Sequence, residues 1–170
     1  MLNLIRSWLI EDKKTAKLRF DEVIQYNVKD FHLLRTSGEY FQYFLRIKNE
    51  KINTKAESVR GFITIENTKT QYKPLIWENN RQQYYDIGYQ GDLYLFTITN
   101  NESGYTVNMH YTPPEGKERQ DVTEYDYEDM TLEDSKNKNI IIQIDSNNAS
   151  IPDKPYNITL EKLLATARKS

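Results

Sequence analysis

The chain has 170 residues, 38% of them hydrophobic, which is enough for one domain with a hydrophobic core. Its 23 Lys and Arg against 25 Asp and Glu leave a net charge of −2, without the concentrated basic charge that phosphate-backbone binding needs, so no nucleic acid partner is expected. Cysteine is absent, which excludes disulfides, zinc–thiolate sites and a cysteine nucleophile.

The first fifteen residues contain Leu2, Ile5, Trp8 and Leu9 at helical spacing, interrupted by Arg6. Two readings stay open for 1–15: a short helix packed on the body, or a juxtamembrane segment with Trp8 at the interface and Glu11-Asp-Lys-Lys14 marking the exit to water. No run of about 18 apolar residues exists to span a membrane. Ala16, Leu18 and Phe20 alternate with Lys17, Arg19 and Asp21, which predicts a half-buried first strand. Residues 21–37 follow no single period and read as an extended segment entering a loop, with Ser37-Gly38 as its turn.

Glu39 to Lys48 is rich in aromatic residues and reads as a central strand, and 49–55 as a polar turn. From Ser58 to Glu66, Val59, Gly61, Ile63 and Ile65 alternate with Arg60, Phe62, Thr64 and Glu66, and Gly61 predicts a bulge or a close backbone approach. Tyr72 to Trp77 reads as an edge strand, because Pro74 cannot donate to a ladder. After a polar loop at 78–83 comes a short strand at 84–87, then a turn bracketed by Gly88 and Gly91. Asp92–Thr99 and Tyr105–Tyr111 form a hairpin around Asn100-Asn-Glu-Ser-Gly104, ended by Pro113-Pro-Glu-Gly116. Residues 115–139 form a polar, acidic insertion, Asn139–Asp145 a buried strand and 146–155 a loop. Thr159 can cap a closing helix with Leu160, Leu163, Leu164 and Ala167 on one face, in competition with a strand through Tyr156–Leu160.

About eight strands at intervals of roughly ten residues predict an all-β fold, an antiparallel immunoglobulin-like β-sandwich with short N- and C-terminal helices. The sandwich would occupy 16–170, after the N-terminal segment.

The stretch Tyr43-Phe-Leu-Arg-Ile-Lys-Asn-Glu50 followed by Ala56-Glu-Ser-Val-Arg-Gly-Phe-Ile63 resembles the two-strand core of immunoglobulin-like accessory sandwiches of the CARDB type. Those modules carry an apolar-x-apolar-x-Asn strand end, a short turn and an Ala-x-x-Val strand start. Glu50 stands where they carry glycine. Pro74-Leu-Ile-Trp77 and Tyr85-Asp-Ile87 are similar to uncharacterised archaeal sandwich domains often found beside membrane helices. The resemblance covers about 45 residues of the first half. It implies a sandwich with an adhesive or positioning role and brings no catalytic residues. In this setting Asn49 can satisfy turn backbone, and the small Ala56 lets the chain cross the sandwich edge.

Chemistry finds little footing. The two histidines, His32 and His110, sit among apolar neighbours and belong to no nucleophile elbow, and no phosphate-binding loop or dinucleotide fingerprint exists. Paired carboxylates from distant strands leave no motif, so a hydrolase of that kind is a third reading. The cluster Asp121, Glu124, Asp126, Glu128, Asp129, Glu133 and Asp134 reads as a solvated loop, its alternative being a cation site; it lacks the spacing and glycine of an EF-hand. Three Asn-x-Ser/Thr sequons begin at Asn101, Asn148 and Asn157, a number that an asparagine-rich chain carries by chance.

The composition therefore predicts a noncatalytic interaction or structural module without cofactor or metal. Its expected partner is a protein, or a second copy through an edge strand such as the one holding Pro74. The alternative is a carbohydrate-binding module in which Trp77, Tyr84, Tyr85 and Tyr89, beside the amide-rich loop Asn79–Gln83, form the ligand-binding cluster. Its compartment is left open: soluble as it stands, or membrane-associated through an upstream or N-terminal segment.

Overall fold

The computed structural model describes residues 15–28, 40–101, 104–109 and 129–170. The expected N-terminal helix, the Ser37-Gly38 and Pro113–Gly116 turns, both histidines and most of the acidic insertion lie outside them.

Two sheets pack face to face. Strands β1 (Ala16–Val28), β2 (Tyr40–Asn49) and β7 (Gln90–Asn101) run antiparallel as neighbours, so β2 is central, as its aromatic sequence predicts. Facing them, β3 (Ala56–Ile65) pairs with β10 (Asn139–Asp145), and β10 with β12 (Tyr156–Thr159). The residues from Tyr72 to Trp77 do not make one strand. They split into β4 (Lys73–Pro74), which pairs with β3, and β5 (Ile76–Trp77), which pairs with β7. The chain changes sheets at Leu75, whose amide donates to the Gly61 carbonyl (2.8 Å). Pro74 does lie at an edge, but that edge strand is only two residues long. The pairings β1–β2–β7–β5 and β12–β10–β3–β4 follow the order of an immunoglobulin-like sandwich, although the first sheet also continues past β7 through two further strands.

Several boundaries differ from the sequence reading. The first strand continues to Val28, because a register shift between Phe20 and Val23 breaks its alternation and hides it from a period-two search. β6 (Tyr85–Ile87) pairs with β3, and Gly91 lies inside β7 rather than closing a turn. The expected hairpin forms between β7 and β8 (Gly104–Asn108), with Asn101 opposite Gly104. The insertion stops early: β9 (Met130–Thr131) pairs with β8, and Thr131 caps helix α1 (Leu132–Ser135). The loop after β10 contains β11 (Ala149–Ser150). Strand and helix both form near the C-terminus, where Thr159 ends β12 and caps α2 (Leu160–Thr166) by accepting from the Lys162 amide (3.3 Å). β11 and the final β13 (Arg168–Lys169) pair with opposite ends of β1 in parallel, which blunts that edge.

The interior follows the period of two. Leu45, Ile47, Leu93 and Leu95 from one sheet meet Val59, Ile63, Ile65, Ile140 and Ile142 from the other, all buried. Trp77 lies between the sheets, fully buried, and its indole N–H donates to the Val59 carbonyl (3.0 Å). Gly61 meets the expectation of a close approach. A Cβ there would overlap the Leu93 Cδ2 methyl and stand 2.8 Å from Cδ1.

At the β2–β3 crossing, buried Asn49 donates from Nδ2 to the carbonyls of Thr54 (2.6 Å), Ile87 (3.2 Å) and Gly88 (3.2 Å), and its Oδ1 accepts from the Lys51 amide (3.0 Å). One side chain therefore satisfies its own turn and the β6–β7 connection together.

Two outcomes follow from this interior. Gly61→Ala should lose about 1–3 kcal/mol of unfolding free energy in urea, as overpacking does. Combined with Leu93→Ala, it should lose less than the sum of the two single changes; strict additivity would show that Leu93 is not what Gly61 makes room for. Burial also pushes the Tyr43 hydroxyl up to about 12, from an ordinary value of 10.0. The folded state therefore resists ionisation that the unfolded state accepts, so this contribution is intact below pH 10.0 and lost as pH rises toward about 12. The urea midpoint should fall across that window and fall less steeply in Tyr43→Phe; identical alkaline profiles would exclude the contribution.

Candidate functional site

The outward residues of β3 are Arg60, Phe62 and Thr64. The ladder sets them directly opposite Asp145, Gln143 and Ile141 of β10. Arg60 donates to Asp145 through both arms of its fork, Nε to Oδ1 (3.2 Å) and Nη2 to Oδ2 (3.1 Å). The pair is partly exposed, and the Asp145 hydrogen bonds raise the Arg60 pKa above its ordinary value.

Aromatic rings hold the guanidinium on both sides. It lies 5.2 Å from the Phe62 centroid and 5.4 Å from that of Tyr84, within cation–π range. Phe62 in turn stacks on Tyr72, with centroids 4.3 Å apart and planes 5° from parallel. Tyr72 reaches this position from a left-handed backbone (φ 50°), with its amide donating to Thr64 Oγ1 (2.9 Å). The result is a continuous row, Tyr72–Phe62–Arg60–Tyr84, across the outer face of the β3 sheet.

At the Tyr84 end lies an open depression of about 440 Å³, lined by Ser58, Arg60, Tyr84, Asp145, Ser146 and Asn147. Its rim is pinned. A register shift in β3 between Ala56 and Val59 leaves Ser58 with a φ of 50°, and its amide donates to Asp86 Oδ1 (2.8 Å). The Glu57 amide donates to Asn148 Oδ1 (2.7 Å), and Ser146 Oγ donates to the Glu57 carbonyl (2.8 Å). Asn148 Nδ2 donates to the Lys55 carbonyl (2.9 Å).

The other sheet presents a different outer surface. Its strands carry a chain of charges in which Asp92 pairs with Arg46, Arg46 with Glu22, and Glu22 with Arg168. The Arg168 hydrogen bonds lower the Glu22 carboxyl below the ordinary carboxylate value. Lys17, Glu50, Arg19, Asp21 and Lys48 form a second chain of ion pairs. Paired surface charges of this kind contribute little stability each, and the same face also carries a buried cluster of Phe44, Ile76 and Tyr94 with Tyr26 packed against it.

The cluster expected from sequence does not assemble. Trp77 is fully buried and offers no ring face to a ligand, because its outward neighbour in β5 is Ile76 and its own side chain fills the space over Gly91. Tyr85 packs half-buried against it, with centroids 5.8 Å apart. Tyr89 is exposed but lies beside Lys48 of β2 (5.8 Å). Only Tyr84 joins the site, positioned by the Asn80 Nδ2 bond to its carbonyl (2.6 Å).

Arg60, Phe62, Tyr72 and Asp145 were missed. A usable signal was present: Arg60 and Phe62 fall on the outward half of a well-alternating strand, where a large aromatic residue needs a partner. Among the described residues no group of three or more His, Asp or Glu could hold a metal ion; of the acidic stretch these include Asp129, Glu133 and Asp134, with Glu133 paired to Lys136 (2.9 Å). No described helix is long and apolar enough to cross a membrane. No protein-family model, curated protein or solved structure matches the chain.

Proposed function

We propose that the chain is a noncatalytic interaction module that binds a protein partner through the outer face of the β3 sheet. The observation that carries this reading is the row Tyr72–Phe62–Arg60, in which an exposed tyrosine caps a phenylalanine that in turn caps a neutralised arginine. Interface centres are depleted in unpaired charge and enriched in Tyr, Phe and Arg, and truncating such residues carries most of the binding loss. The face has that composition. Side chains already held by neighbours also lose little freedom when a partner arrives. The local likeness to CARDB-type accessory sandwiches points to the same adhesive or positioning role. Among the described residues the carboxylate lining the depression, Asp145, is already committed to Arg60, which supports a binding role over acid–base hydrolysis.

The test is quantitative capture from cells that express the chain naturally, with the protein immobilised as wild type, Tyr72→Ala or Lys17→Ala, each verified as folded by circular dichroism. Wild type and Lys17→Ala should retain a shared set of proteins, while Tyr72→Ala loses about 30-fold of that recovery, the factor of a hot-spot residue. Equal recovery on Tyr72→Ala, or no specific capture by any of the three, contradicts the proposal.

A further inference from the structure

We infer that the depression at the Tyr84 end of the face is a binding site for a neutral sugar. It stands apart from the protein-docking reading, which centres on Tyr72 and Phe62.

Charge removes the other ligand classes. Among the described residues Arg60 is the cation lining the depression, and Asp145 neutralises it. An incoming phosphate or carboxylate would meet the Asp145 carboxylate beside a guanidinium that is already paired, and like charges at such range repel. A metal ion would need several oxygen ligands, and no group of three acidic or histidine side chains gathers among the described residues.

What the depression offers is a mixture of donors and acceptors with little net charge. The Asp145 oxygens keep lone pairs beyond those used by Arg60, and Arg60 Nη1 points to the Tyr84 hydroxyl at 3.5 Å. Asn147 is exposed, and its backbone amide, not its side chain, makes the bond to Glu57 (3.2 Å). Adjacent hydroxyls on a sugar ring are donors and acceptors at once, so they match a carboxylate–guanidinium pair flanked by an amide. Tyr84, 46% exposed, supplies the apolar surface on which the C–H face of a sugar packs. The rim is fixed before any ligand arrives, since Glu57 and Ser58 are held by three side chains from two other segments, Asp86 of β6 and Ser146 and Asn148 of the loop after β10.

Saturation-transfer NMR of the full chain with a panel of neutral hexoses, N-acetylhexosamines and their disaccharides tests this directly. At least one should give a saturable signal, with amide shifts centred on Ser58, Arg60, Tyr84 and Asn147. Tyr84→Ala should weaken binding about tenfold or more, and Asn147→Ala, which removes an exposed side chain and leaves the fold intact, should weaken it several-fold. Tyr72→Ala should bind the sugar as wild type does even where it loses protein capture, so the two proposals fail separately. Absence of saturable binding across the panel, shifts elsewhere on the molecule, unchanged binding in Tyr84→Ala and Asn147→Ala, or tighter binding of glucose 6-phosphate than of glucose would overturn the inference.

Discussion

The arrangement of this protein depends on how the chain crosses from one sheet to the other after β2, and the Asn49 side chain governs that crossing. Its amide group accounts for three carbonyls and a backbone N–H drawn from two separate turns. These groups are at least partly withdrawn from water, and a buried polar group without a partner costs about 1–3 kcal/mol. Glutamine would be too long, and aspartate would set a carboxylate against three carbonyls, so asparagine is the residue that fits. Because β3 begins a few residues later and β6 ends at the same clamp, the geometry set here passes directly to Ser58, Arg60 and Tyr84.

The two outer faces differ in chemistry and therefore in what they can do. The β1–β2–β7 face combines interlocking ion pairs with a buried cluster of Phe44, Ile76 and Tyr94. The β3 face carries the Arg60–Asp145 ion pair, flanked by the Phe62 and Tyr84 rings with Tyr72 stacked on Phe62. In between, a core of branched aliphatic residues around Trp77 keeps both faces in register.

Much of the fold was legible in the sequence because alternation survives wherever a strand has one buried face. Val59, Ile63 and Ile65 point inward as their spacing predicts, and Asn139–Asp145 and the Thr159-capped helix fall where expected. Legibility failed at irregularities. The shift between Phe20 and Val23 disguised the second half of β1, and the sheet change at Leu75 divided what read as one strand. The site was less legible still. A tryptophan beside a polar loop has the same local sequence whether it is exposed or, like Trp77, bonded to a carbonyl of the opposite sheet. Arg60 and Asp145 are 85 residues apart, and only the β3–β10 register brings them together.

Native-state amide hydrogen exchange in wild type and Asn49→Ala is the most direct test of the Asn49 clamp. If one side chain couples the two turns, the variant should lose about 2 kcal/mol or more of protection at the Lys51 amide and also at the Ser58 amide on the rim. Loss confined to Lys51, with Ser58 as protected as before, would reduce Asn49 to a local turn residue and contradict the account.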